Sequence, residues 1–302
     1  MSAGTGGWLV YLRLIRPPIV LGGLLGYCLG ALLGIRAGGR PEPAVLVACY
    51  MVVVLGDVST HFSNAYYDAE GDAGSLPKTF GGSNLLVGRP DLRGGALAAS
   101  RLLSVASLGF VLVSVLAGAG TQIAVLAVAA NLLGILYSAP PVRLVSRGLG
   151  EASIAVGTGF MIPAAGYIAA AGGVSERFLV LSAPLVILGF CLSLSLEAPD
   201  MEADRIAGKL NLVARWGREA STKLVAAASA AAALALPYFW GDVSGLSGAT
   251  LTVLGAFPLA AAAFAVLSRA EDHKPADRLS SAYIVSLLVV LAGLVGLLAV
   301  SG

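Results

Sequence analysis

Apolar residues run along this chain in long stretches broken by short polar or glycine-rich interruptions. A helix needs about 20 consecutive, mainly apolar residues to cross ~30 Å of hydrocarbon. Nine stretches meet that length, at 17–36, 43–63, 96–117, 120–138, 149–171, 177–196, 220–240, 247–268 and 280–300. The pattern predicts an all-α, polytopic membrane protein of nine transmembrane helices, with residues 1–302 as a single domain. The first stretch has the length of a full span and no small-residue cleavage site follows it, so it is expected to stay in the mature chain.

Composition strengthens this picture. Of the 302 residues, 57% are hydrophobic and 12% charged, with a mean hydropathy of +0.87, whereas about a quarter of a soluble domain is charged. Cys28, Cys49 and Cys191 each fall inside a predicted span without a CxxC pairing, and read as small packing residues rather than metal ligands or disulfide partners. Gly22, Gly26, Gly30 and Gly34 recur at every fourth position, giving the first helix a small-residue face for a neighbour in the bundle.

Net charge is only +2, but its distribution is uneven. Taking the loops alternately, one side holds just Arg36, Arg40 and Arg177 of the 19 Lys and Arg. The side with the remaining cations is the cytoplasmic one. This places the N-terminus in the cytoplasm and the C-terminus outside, as expected for a multi-pass protein of the plasma membrane. The longest non-membrane segments, 64–95 and 197–219, fall on the cytoplasmic side and are rich in charge. Asn64 and Asp200 stand 136 positions apart, as do Asp68 and Asp204. Two four-helix halves followed by a ninth helix would explain that offset.

Those two segments carry the candidate chemistry. The first reads Asn64-Ala65-Tyr66-Tyr67-Asp68-Ala69-Glu70-Gly71-Asp72, an NxxxDxxxD pattern. If the second helix runs through it, Asp57, His61, Asn64, Asp68 and Asp72 share an arc of about 80°. Asp57 and His61 lie within the span, where a charge costs ~2.5–3.5 kcal/mol and usually faces a water-filled cavity. A polar cavity open to the cytoplasm is therefore expected at the centre of the bundle. The second segment reads Asp200-Met201-Glu202-Ala203-Asp204-Arg205, followed by Gly208-Lys209, with Asp200 and Asp204 one turn apart.

Carboxylates gathered in this way repel unless a cation stands between them. Their all-oxygen donors, with the Asn64 carbonyl, suit Mg2+, which takes a few protein carboxylates and leaves its other positions to water and phosphate oxygens. The implied ligand is a diphosphate. Lys78, Arg143, Arg147, Arg205 and Lys209 lie in the same inner loops and are its candidate partners, and Gly81-Gly82-Ser83-Asn84 could offer backbone N–H groups. No Walker A sequence, GxGxxG turn or HExxH motif occurs, and the chain has two histidines. Nucleotide hydrolysis and zinc chemistry therefore have no support.

NxxxDxxxD after the second helix, DxxxD with a following Gly-Lys after the sixth, and nine spans together resemble the UbiA superfamily of intramembrane prenyltransferases over nearly the whole chain. Thr79-Phe80-Gly81-Gly82-Ser83-Asn84-Leu85-Leu86-Val87, Tyr137-Ser138-Ala139-Pro140-Pro141-Val142-Arg143, Arg147-Gly148-Leu149-Gly150-Glu151 and Asp204-Arg205-Ile206-Ala207-Gly208-Lys209 are similar to the 1,4-dihydroxy-2-naphthoate polyprenyltransferases of menaquinone synthesis. The chain departs from that branch at Leu196-Glu197, where a third acidic position and paired asparagines are usual, and at Asn211, which replaces a threonine. Glu197 is a candidate substitute for the missing acid.

The resemblance implies Mg2+-dependent transfer of a polyprenyl group from an allylic diphosphate of geranyl or longer chain to a lipophilic or aromatic acceptor. Asn64, Asp68, Asp72, Asp200 and Asp204 would hold the metal, and Tyr137 would offer a ring face to the allylic cation. Arg16, Asp57, His61, Ser138 and Glu197 are candidate acceptor or cavity residues. Other acceptors, namely 4-hydroxybenzoate, geranylgeranylglyceryl phosphate or a porphyrin, are alternatives. So is an ion or solute transporter, although the acids cluster on one side and only Asp57 is charged in mid-span. Membrane lipid is the expected surrounding, with neither nucleic acid nor an obligate protein partner implied.

Overall fold

The computed structural model describes residues 9–80, 84–269 and 272–301, apart from the side chains of Leu9, Asp72 and residues 242–244. Every regular element among the described residues is helical. Among the described residues, nine apolar helices make up the bundle: α1 (Pro17–Arg36), α2 (Pro43–Asp68), α3 (Arg93–Leu116), α4 (Gln122–Ser138), α5 (Gly150–Ala171), α6 (Glu176–Glu197), α7 (Arg218–Ser244), α8 (Gly248–Ser268) and α9 (His273–Val300). All but α4 are long and apolar enough to cross a bilayer. The expected nine spans are thus eight helices of spanning length and one of 17 residues. Pro140 sets the C-terminal limit of α4. The residue before it, Ala139, turns extended at φ −75° and ψ 136°, one residue short of the Pro140-Pro141 pair, where helical geometry would clash with the following ring.

Prolines also shape the other helices. Pro17 and Pro43 occupy the first turns of α1 and α2, where a missing N–H costs nothing. Within α5, Pro163 removes an N–H in mid-helix, and the turn just before it, Gly157–Met161, widens into a π-helix. That widened turn faces the interior and leaves room there.

Close packing of small residues sets the inner walls. A Cβ at Gly30 of α1 would run into the Pro163 carbonyl of α5, and one at Gly166 of α5 would strike the Tyr27 carbonyl. The two backbones touch, which only glycine permits. Hydroxyl groups join α2 to α3: Ser59 Oγ donates to Ser100 O at 2.8 Å, Ser100 Oγ returns to Ser59 O at 2.9 Å, and Ser107 Oγ donates to Val52 O at 2.8 Å. Asn131 of α4 joins this seam through Ser107 Oγ at 3.2 Å and Ser104 Oγ at 2.6 Å. Outward positions on α3 and α8, such as Leu102, Val105, Leu116, Phe264 and Leu267, are exposed and apolar. A bundle that is apolar on its outside and hydrogen-bonded within is an integral membrane protein.

Candidate active site

Both acidic motifs sit at the same end of the bundle, where α2 and α6 give way to short helical turns. α2 is unbroken through Asp68, so Asp57, His61, Asn64 and Asp68 share one helix. Asp72 does not continue that stripe. The chain leaves the α2 register after Asp68 and Asp72 lies in a separate 3-10 turn, Gly71–Gly74. Glycine at both ends of that turn lowers helix propensity where the extended stripe was expected. The buried Ser138 at the end of α4 faces the motif, its Oγ 3.1 Å from Asn64 Oδ1 and 3.3 Å from Asp68 Oδ2. Arg143, held at φ +44°, brings Nη2 to 3.9 Å from Asp68 Oδ1.

The second motif is ordered by its own set of partners. Asp200 ends a 3-10 turn and pairs with Lys78, whose ammonium reaches across from the loop after the first motif. Asp204, 5% exposed, lies on the short helix Met201–Ile206, with Lys209 Nζ 3.2 Å from one oxygen and Asn211 Nδ2 donating to the other at 2.7 Å. Asn211 caps the helix Leu212–Trp216 by accepting from Ala214 N at 2.7 Å. The buried Glu151 of α5 accepts from Leu212 N. Glu197 accepts from Ser193 Oγ at 3.3 Å and meets Glu151 carboxyl to carboxyl, turned toward α5.

Asn64 and Tyr137 line the polar mouth of a cavity between α2, α4 and α5. Its walls are apolar except for Asp57, Thr60, Asn131, Ser153 and Thr158, and it deepens to Ile123, Leu126 and Met161. A second, almost wholly apolar cavity between α1, α5, α6 and α9 shares Asp57, Thr158 and Ile162 with the first. Asp57 therefore stands where the two meet. His61 Nε2 is 3.7 Å from Asp57 Oδ1, while His61 Nδ1 and Arg16 Nε are buried without a hydrogen-bond partner. Such an arrangement can hold an anionic group at one end and a long apolar chain at the other.

Residues 24–287 match the model of the UbiA prenyltransferase family. The chain belongs to that family. The fold is also that of solved structures: digeranylgeranylglyceryl phosphate synthase, 18% identical over 97% of this chain and 98% of that one with a TM-score of 0.66, and a UbiA homologue from Archaeoglobus fulgidus bound to DMAPP and Mg2+, 20% identical over 93% and 99% with a TM-score of 0.64. The apo UbiA homologue from Aeropyrum pernix K1 is 17% identical over 92% and 98%, with a TM-score of 0.69. At such identities the likeness is one of fold. No match is found among curated proteins.

In this UbiA prenyltransferase family member the candidate cations divide into two groups. Lys78, Arg143 and Lys209 face motif acids. Arg147 and Arg205 do not: Arg147 Nη2 donates to Pro141 O at 2.9 Å and Arg205 Nε to Ala214 O at 2.7 Å, so both tie loops together. Of the glycine-rich run, Gly81, Gly82 and Ser83 lie outside the described residues, and Asn84 Nδ2 donates to Ser75 O at 2.8 Å. No three His, Cys, Asp or Glu side chains among the described residues close into a metal cage. The donor set nevertheless fits Mg2+, which needs only one or two protein carboxylates and takes its other ligands from water and phosphate. Asp200 Oδ1, buried and without a hydrogen-bond partner, is an oxygen such an ion would use. Sequence reasoning passed over Asn211 and Glu151 as organisers of Asp204. An Asn three residues before a helical N–H is a capping signal, so Asn211 was readable; Glu151 was not, because its partner is a backbone amide 61 positions away.

Proposed function

We propose that this protein transfers a polyprenyl group from an allylic diphosphate to an electron-rich acceptor, with Mg2+ held between the two acidic motifs on the cytoplasmic side. The observation that carries the proposal is the facing of Asp68 by Arg143, Asp200 by Lys78 and Asp204 by Lys209, with Asn64 of the first motif lining an apolar cavity. Asn64, Asp68, Asp72, Asp200 and Asp204 would hold the metal, with Ser138 fixing the first pair. When bound, Mg2+ supplies Lewis-acid neutralisation of the diphosphate. The relatives solved with DMAPP or GPP and Mg2+ share the fold and fit this reading.

Lys78, Arg143 and Lys209 then take up charge on the leaving oxygens as the allylic C–O bond breaks and its electron pair departs with the diphosphate. Tyr137, at the mouth beside Asn64, offers its ring face to the allylic cation. The apolar walls keep water from capturing that cation. The acceptor attacks the allylic carbon, and the new bond is completed by loss of a proton or of carbon dioxide from the acceptor. Arg16 would bind the anionic group of an acceptor and Asp57, backed by His61, would take its proton. An aromatic quinone precursor of the 1,4-dihydroxy-2-naphthoate kind, a ring with hydroxyls and a carboxylate, suits that combination.

The test is product identification by mass spectrometry after supplying geranyl and longer polyprenyl diphosphates. The panel of acceptors comprises 1,4-dihydroxy-2-naphthoate, 4-hydroxybenzoate, geranylgeranylglyceryl phosphate and a porphyrin. Prenylated naphthoate formed with Mg2+ and lost with EDTA is expected; product from another acceptor alone would reassign the acceptor, and no product from any would remove the proposal.

A further inference from the structure

The loop that carries Lys78 is fastened to a helix nearly 200 residues away. Thr79 donates from its backbone N–H to Asp277 Oδ1 at 3.0 Å and Oδ2 at 3.2 Å, and from Oγ1 to Oδ2 at 2.7 Å. One turn earlier on α9, the two ring nitrogens of His273 lie 3.0 Å from Pro77 O and 2.9 Å from Pro199 O. His273 and Asp277 are four residues apart and so share a face of α9. Lys78 is thus held on both sides, through Pro77 and Thr79. Its partner Asp200 is held through Pro199, the residue before it.

We infer that His273 and Asp277 are positioning residues for donor binding, acting through Lys78. The inference rests on the reading of Lys78 and Asp200 as part of the donor site. Residues 75–78 adopt no regular structure and Thr79 and Phe80 only bend, so the loop has no ladder of its own to fix where the lysine points. A lysine stem has four rotatable bonds, and an ammonium at its tip reaches a ligand reproducibly only when its Cα is fixed. The clamp fixes it. Without donor the ammonium neutralises Asp200. An arriving diphosphate offers oxygens at the same place, and Lys78 passes from carboxylate to phosphate without the loop having to be ordered at that moment, the general source of affinity by preorganisation. Neither His273 nor Asp277 touches the donor in this scheme.

The experiment measures the affinity of full-length protein in nanodiscs for geranyl diphosphate with Mg2+ by titration calorimetry. H273A and D277A are each expected to raise Kd about tenfold, the loss of roughly one charge-assisted hydrogen bond. K78A should raise it at least as much, and adding D277A to K78A should change it less than about twofold, because coupled residues are not additive. T79S keeps the hydroxyl and should bind as wild type, whereas T79V should fall toward D277A. Wild-type affinity in H273A and D277A overturns the inference. So does full additivity of D277A on K78A, which would mark a general effect on stability. D68A reports on the donor site itself: lost binding in D68A alongside normal binding in D277A removes the clamp and leaves the site standing, whereas normal binding in D68A removes both.

Discussion

Ser138 Oγ lies 3.1 Å from Asn64 Oδ1 and 3.3 Å from Asp68 Oδ2, so one hydroxyl at the end of α4 serves two residues of the first motif on α2. A serine has a single proton to donate and the two oxygens compete for it. Both side chains are thereby turned to the same point. S138A should fold, since it removes only a small buried hydroxyl, yet weaken binding of geranyl diphosphate with Mg2+ by about five- to tenfold, the value of one hydrogen bond. Calorimetry checks this; unchanged affinity would mean that the backbone alone orients Asn64 and Asp68.

Asp204 serves both the site and the fold, and two substitutions separate these. D204N keeps the volume and an oxygen to accept from Asn211 but removes the negative charge facing the buried Lys209, and should lower turnover by about 10²-fold or more while costing less stability than D204A. D204A removes, besides that charge, the oxygen accepting from Asn211 and the side chain's volume, and should cost about 3 kcal/mol of stability. Thermal melts and product formation measured on both variants make the comparison. Full turnover in D204N would exclude Asp204 from the chemistry.

Gly30 provides a test of the wall rather than the site. A Cβ there would enter the Pro163 carbonyl of α5, so G30A should force α1 and α5 apart and destabilise by about 1–3 kcal/mol. G296A, with nothing within 4 Å of the added carbon, is the matched control. Equal melting temperatures for the two variants would contradict the close approach.

Long-range order divides what could be read from the chain from what could not. Span length is a local property, and α1 occupies residues 17–36 as its apolar stretch predicts. The stripe from Asp57 to Asp68 follows equally from helical period once α2 is known to continue. Asp72 broke the expectation because flanking glycines stop the helix. Which cation meets which acid was not legible: Lys78 finds Asp200 across 122 positions, while Arg205, adjacent to Asp204, turns away to Ala214. Adjacency in sequence says little where loops fold back, and the clamp formed by His273 and Asp277 is the extreme case, since neither residue belongs to a motif.

Asp57 offers the sharpest division between donor and acceptor chemistry. It lines both cavities and lies beside His61, whereas Lys78, Arg143 and Lys209, the cations of the donor end, face Asp200, Asp68 and Asp204. If Asp57 takes the acceptor's proton, D57N should leave donor affinity within about twofold and lower prenyl product by about 10²-fold, the usual scale of a general base. Ionisation does not need that proton transfer, so diphosphate release should persist, with the cation captured by water as the free prenyl alcohol. The ratio of prenyl alcohol to prenylated acceptor, measured by mass spectrometry in the presence of Mg2+, should therefore rise in D57N and not in S138A, where both products fall together. A D57N enzyme that loses diphosphate release in step with product would place Asp57 on the donor side instead.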